Sequence, residues 1–219
     1  MRLELGKSIH CSDREVGELA DLVIDPTTRQ VTHLVVRMHA HEGPSRLVPV
    51  DLVENGGASD GISLRCPAEE MSSLDTIEQF AYVRTGDFPV EDARWDVGVS
   101  ELLVAPYYEA TGLGEYPGAY DPNTGVAYDR IPKGDVEVRR SSEVITKDGA
   151  LAGRVDGFVV DAEQHITHFV LERGHLWGKR EVTVPIGAVE SIQTDAVTLS
   201  LTKAEIGALP AVRVHRRFG

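Results

Sequence analysis

A chain of 219 residues has room for one large domain or two of about 100 residues each, and its 42% hydrophobic and 26% charged content is that of an ordinary soluble protein. The net charge of −13 is unevenly spread: residues 1–85 carry 8 basic and 14 acidic groups, residues 86–135 carry 3 and 10, and residues 136–219 carry 11 and 11. This excludes a polyanion gripped by the whole surface, because such binding draws on clustered Lys and Arg, and no run approaches the ~20 apolar residues of a membrane helix.

In chain order, MRLELGKSIH has no apolar signal core, so a cytoplasmic location is expected. Leu19–Ile24 and Val31–Val36 are rich in Val, Leu and Ile and flank Asp25-Pro26, which predicts a hairpin. Pro49, in RLVPVDLVE (46–54), cannot donate to a ladder and requires an edge, a strand end or a bulge. Pro67 suits the first turn of a short helix over 67–73.

Residues 86–135 differ in character, holding five of eleven prolines, seven glycines and five of six tyrosines (Tyr107, Tyr108, Tyr116, Tyr120 and Tyr128). A flexible linker is poor in aromatics, so part of this acidic segment is expected to pack onto a folded domain, anchored by Trp95 and Leu102–Val104. Gly112–Thr124, with Asp-Pro-Asn-Thr-Gly at 121–125, reads as exposed loop. Beyond it, Val155–Val160, Asp161 and Ile166–Leu171 predict a second hairpin, and Pro185 sits as Pro49 does. Lys203–Ala208 reads as a helix, with Thr202 and Glu205 at capping-box spacing.

The two ends of the chain are alike. GELADLVIDPTTRQVTHLVV (17–36) aligns with GRVDGFVVDAEQHITHFVL (153–171), RLVPVDLVE (46–54) with EVTVPIGAVE (181–190), and GISLRCPAEEMSSL (61–74) with AVTLSLTKAEIGAL (196–209). The offset stays at 135 or 136 throughout. The fold class is therefore all-β: two small β-barrels in tandem over 1–85 and 136–219, each with one short helix, joined by the Tyr/Pro/Gly-rich segment 86–135.

The order glycine, apolar strand, Asp turn, Thr-His before an apolar strand, then Val-Pro with Val-Glu behind it resembles the PRC-barrel family. That family includes the cytoplasmic domain of the photosynthetic reaction-centre H subunit and the C-terminal domain of a ribosome maturation factor. Residues 153–189 look most like the tandem PRC-barrel proteins of bacteria. The resemblance implies a PRC-type barrel in each copy and a role in docking other macromolecules without catalysis.

Chemical candidates are few. His33 and His168 occupy one repeat position with no duplicated partner, as expected of partly buried imidazoles bonded to backbone. His39 and His41 share a face of an extended segment and, with His10 or Cys11, form the only zinc-like combination, short of the paired spacings of structural zinc; no metal or cofactor is expected. Cys11 and Cys66 both fall at strand ends of the first copy, where the second has Thr146 and Leu201, so free thiols or a disulfide are open. No Gly-x-Ser-x-Gly elbow, based cysteine or phosphate loop is present. Glu69-Glu70 and Glu91-Asp92 read as solvated acidic surface, and an enzyme is not expected.

The unusual surface is the predicted loop Glu172–Arg180, in which Arg173, His175, Trp177, Lys179 and Arg180 are gathered between glycines. Trp and Arg dominate binding hot spots, so these five residues form the candidate partner site; the alternative is Trp177 folded over the barrel mouth with its N–H wet. The tail Arg213-Val214-His215-Arg216-Arg217 adds positive charge or protects an edge strand. The expected function is docking of a protein partner. The alternatives are RNA or ribosome association through the basic loop and tail, and a small-molecule site between the barrels. Pairing of the two copies with each other, or of two chains, is also expected.

Overall fold

The computed structural model describes residues 1–39, 43–54, 61–84, 94–104, 123–173 and 180–213. The chain forms two compact units, Met1–Asp75 with Gly134–Gly219, and Thr76–Lys133. The fold is all-β with two short helices among the described residues, and none of these helices is long and apolar enough to cross a membrane.

The first part of the larger unit comprises β1 (Arg2–Glu4), β2 (Ser8–His10), β3 (Glu15–Asp25), β4 (Gln30–Met38), β5 (Arg46–Pro49), β6 (Gly61–Ser63) and α1 (Ala68–Ser72). The smaller unit is a sheet of β7 (Glu78–Arg84), β8 (Trp95–Val104) and β9 (Asn123–Pro132), with β9 central. The chain then adds β10 (Val136–Arg139), β11 (Glu143–Ile145), β12 (Leu151–Val160) and β13 (Ile166–Arg173) to the larger unit. It finishes with β14 (Arg180–Pro185), β15 (Val189–Ile192), β16 (Ala196–Leu199), α2 (Lys203–Ala208) and β17 (Ala211–Arg213).

The two sheets of the larger unit share an internal order, β5-β4-β3-β2-β6 in one and β14-β13-β12-β11-β16 in the other. Their pairings agree in sense: β2 with β6 and β11 with β16 are parallel, whereas β3 with β4 and β12 with β13 are antiparallel. Bulges fall at matching places. Ala20 and Asp156 are the extra residues on the long strands, Thr32 and Thr167 those on their partners.

A bulge leaves ladder groups without their regular partners, and Thr167 answers this locally. The Thr167 hydroxyl donates to the Val159 carbonyl at 3.0 Å, while that of Thr32 lies 3.3 Å from the Val23 carbonyl and donates to the Asp135 carboxylate at 2.6 Å. His33 and His168, which follow, stand opposite Pro49 and Pro185. Each proline is the last residue of its strand, where a missing N–H interrupts no ladder, and leads into a 3-10 turn, Val50–Leu52 or Ile186–Ala188. The shared glycines mark close strand crossings: a Cβ on Gly17 would lie 2.0 Å from the Arg37 carbonyl oxygen, and one on Gly153 2.2 Å from that of Glu172.

Each half lends a strand to the other. β1 pairs with β12, Leu3 opposite Phe158, and β10 pairs with β3, Val138 opposite Leu22. The borrowed strand lies beyond β11 or β2 along the same edge of the long strand. The hairpin turns also bond across the halves, the Val31 N–H donating to the Gln164 carbonyl at 3.1 Å and the Ile166 N–H to that of Arg29 at 2.9 Å. Arg29 and Gln164 both have left-handed backbone, φ +58° and +68°. Leu3, Leu22, Leu34, Val138, Phe158 and Phe169 are wholly or almost wholly buried in one continuous apolar core.

Four expectations are corrected. Among the described residues neither sheet closes into a barrel; an edge of each long strand is completed from the other half, so the halves finish one another instead of curling individually. Pro67 caps α1 from outside, with φ −72° and ψ 160°, so the helix begins at Ala68; extended backbone at a cap suits a ring that cannot donate. Asn123–Gly125 begins β9, where it pairs with Arg84, Val83 and Tyr82, so ladder bonds override the turn chemistry of those residues. Trp95 opens β8 and its ring receives the Arg130 guanidinium at 4.7 Å, a cation–π contact inside the smaller unit. Tyr107, Tyr108, Tyr116 and Tyr120 lie outside the described residues.

Candidate functional site

β13 and β14 stay in register from His168 opposite Pro185 to Arg173 opposite Arg180. This pairing is free of bulges, and β17 pairs with the far side of β14, placing Arg213 opposite Arg180. Arg173, Arg180 and Arg213 therefore occupy one row of the sheet on three neighbouring strands. Like charges directly opposite one another across strands are unfavourable. His175, Trp177 and Lys179 lie in 174–179, outside the described residues. Of the five candidate residues, the structure brings together Arg173 and Arg180, and it adds Arg213 from the basic tail. The sequence marked Arg213 only as charge on an edge strand; its register beside Arg180 had no signal.

One row inward the sign reverses. Glu172 stands between Arg154 and Glu181, and the Arg2 guanidinium, carried in on the borrowed strand β1, binds the Glu181 carboxylate. Arg2 also pairs with Glu4 at 2.9 Å. Burial by itself would lower the Arg2 pKa, but the Glu181 hydrogen bond and the carboxylates of Glu4, Glu181 and Asp156 outweigh it and raise it. The row of Arg154, Glu172 and Glu181, with Arg2 bound to Glu181, thus lies next to the arginine row.

The first half has no arginines at the repeat positions of Arg173 and Arg180, which are Met38 and Pro44. Arg37, at the repeat position of Glu172, binds Glu18 at 2.8 Å, and Arg46 donates to the Leu74 carbonyl at 2.9 Å. A cleft of about 290 Å³ opens beside them, lined by Gly6, Glu18, Asp21, Arg37, Arg139 and Arg140 among others. Its wall is held by the Arg139 guanidinium on the buried Glu137 carboxylate at 2.7 Å.

The remaining candidates are placed as follows. His33 is half-buried; burial pushes its pKa down, against the pull of Asp135, Asp51 and Asp75, and its Nδ1 has no partner among the described residues. His168 Nδ1 meets the Thr167 hydroxyl at 3.1 Å. The backbone bonding expected of both imidazoles is thus not what holds these two nitrogens. His39 lies 3.7 Å from Glu15, and His41 is outside the described residues. No cluster of three or more His, Cys, Asp or Glu converges among the described residues. Glu69 and Glu70 lie exposed on the first turn of α1. Cys11 and Cys66 are free, buried and in contact with each other.

Comparison with known families places a PRC-barrel domain at residues 140–206. The matched stretch takes in β11–β16 and ends within α2, leaving β1 and β17 outside it. A search of curated proteins finds no match.

Proposed function

We propose that the chain is a cytoplasmic, non-enzymatic docking protein built on a duplicated PRC-type domain, and that it takes a protein partner bearing acidic groups at the arginine end of the second half. Duplication is supported by the shared strand order, the matching bulges at Ala20 and Asp156, and the constant sequence offset. The observation that carries the docking reading is the register of Arg173, Arg180 and Arg213, the first two flanking in sequence the segment that holds Trp177. Aromatic and arginine side chains combine buried area with paired charge, the combination that concentrates binding energy in few residues.

The test is affinity capture from the native host, quantified by mass spectrometry, with wild type, Trp177→Ala and the double variant Arg173→Glu/Arg180→Glu. A protein that survives nuclease treatment and is lost about tenfold or more in both variants supports the reading. Loss on nuclease treatment, with a steep dependence on salt, moves it to RNA or ribosome association. Equal capture by all three proteins places docking elsewhere.

A further inference from the structure

The first half collects sulfur where the second does not. Cys11 follows β2, Cys66 precedes α1 and Met71 lies within α1, all three buried. Cys11 Sγ is 3.7 Å from Met71 Sδ, and the Cys11 and Cys66 thiols interact directly. The backbone holds the three together: the Ser12 N–H donates to the Cys66 carbonyl at 3.1 Å, the Ala68 N–H to the Asp13 carboxylate at 2.9 Å, and the Met71 N–H to the Pro67 carbonyl at 3.1 Å. The repeat positions in the second half carry Thr146, Leu201 and Ile206. The same local scaffold therefore forms without sulfur, so the fold itself does not require the three sulfurs that meet here.

We propose that Cys11, Cys66 and Met71 form a binding site for a soft monovalent d10 cation, copper(I) being the physiological candidate. Thiolate and thioether ligands select such ions. Metal–sulfur bonds of about 2.3 Å set the sulfurs of a trigonal site roughly 4 Å apart, close to the Cys11–Met71 spacing. Binding breaks the Cys11 and Cys66 S–H bonds, forms a metal–sulfur bond at each and releases two protons to water, with no change of oxidation state. Met71 donates as a neutral thioether, and the cation offsets one of the two thiolate charges. Burial pushes the free Cys11 thiol up to about 12; a cation beside the sulfur removes that penalty. Zinc, which requires four ligands at a structural site, fits a three-sulfur set poorly.

The experiment titrates the reduced full chain, without oxygen, with silver(I) as a redox-inert probe and with copper(I) in competition with a chromogenic chelator. One metal bound per chain, two protons released per metal, protection of both thiols from alkylation and a raised Tm are expected. The variants Cys11→Thr, Cys66→Leu and Met71→Ile carry the residues the second half uses in the same setting. Cys11→Thr should abolish binding, and the other two should weaken it at least tenfold. Wild-type binding no tighter than that of the triple variant, or binding unchanged by any substitution, overturns the proposal. If a variant fails to fold, X-ray absorption on the wild-type metal complex decides: three sulfur neighbours uphold the site, and oxygen or nitrogen neighbours overturn it.

Discussion

Leu3 of β1 lies directly opposite Phe158 of β12, both wholly or almost wholly buried, so the sheet of the second half is completed by residues from the start of the chain. Leu3→Ala should then destabilise the larger unit by about 3 kcal/mol, the ordinary cost of a leucine truncated in a packed core. Its local effect should appear at a distance in sequence. Hydrogen exchange should accelerate first at 157–160, with Val23 and Ile24 less affected; the reverse order would contradict the strand exchange.

The crossings at Gly17 and Gly153 tolerate no Cβ, because carbonyl oxygens lie 2.0 and 2.2 Å from where it would stand. Gly17→Ala and Gly153→Ala should each cost about 2 kcal/mol or more by overpacking. Gly207, inside α2, has nothing within 4 Å of the same position; Gly207→Ala should stabilise by about 0.5–1 kcal/mol through helix propensity. Urea midpoints of the three variants check both signs.

Acidification should weaken the fold through His33. Burial lowers its pKa in the folded state, so the unfolded chain, titrating near its ordinary value of about 6.5, takes up the proton first. The stability tied to the neutral imidazole is full above that value and lost as pH falls towards the folded-state pKa. The urea midpoint should drop between pH 7.5 and 5.5, and His33→Gln should flatten that drop.

The α2 cap is reciprocal: the Thr202 hydroxyl accepts from the Glu205 N–H, and the Glu205 carboxylate accepts from the Thr202 N–H at 2.8 Å. Thr202→Ala should cost about 1 kcal/mol. The Thr202 bonds also hold the Glu205 carboxyl below its ordinary pKa, so the contribution of this cap should fade as pH falls below about 4, a change readable by thermal melts in acid.

Much of the local structure was legible because it rests on short-range chemistry. Asp25 and Asp161 close their turns by accepting from Thr27 and Glu163 N–H groups at 2.7 and 3.0 Å. α2 forms over Lys203–Ala208, where the spacing of Thr202 and Glu205 put it. Both prolines end strands, as their missing donors require. The exchange of β1 and β10 was not legible: strands of three or four residues state an affinity for a sheet edge without stating which edge. The smaller unit escaped for a related reason, since β7 lies outside the segment whose composition stands out. At the candidate site, the loop composition singled out Arg173 and Arg180. Arg213 entered only through long-range pairing with β14.

The borrowed strands also impose an order in time. A ribosome delivers β3 long before β10, so Leu22 and Ile24 meet water along one edge until residues 136–139 emerge, after the whole of Thr76–Lys133 has been made. The second half has no such wait, since β1 is already waiting when β12 appears. Synthesis from one end therefore delays completion of the earlier half, and the unit encoded between the halves sets the length of the delay.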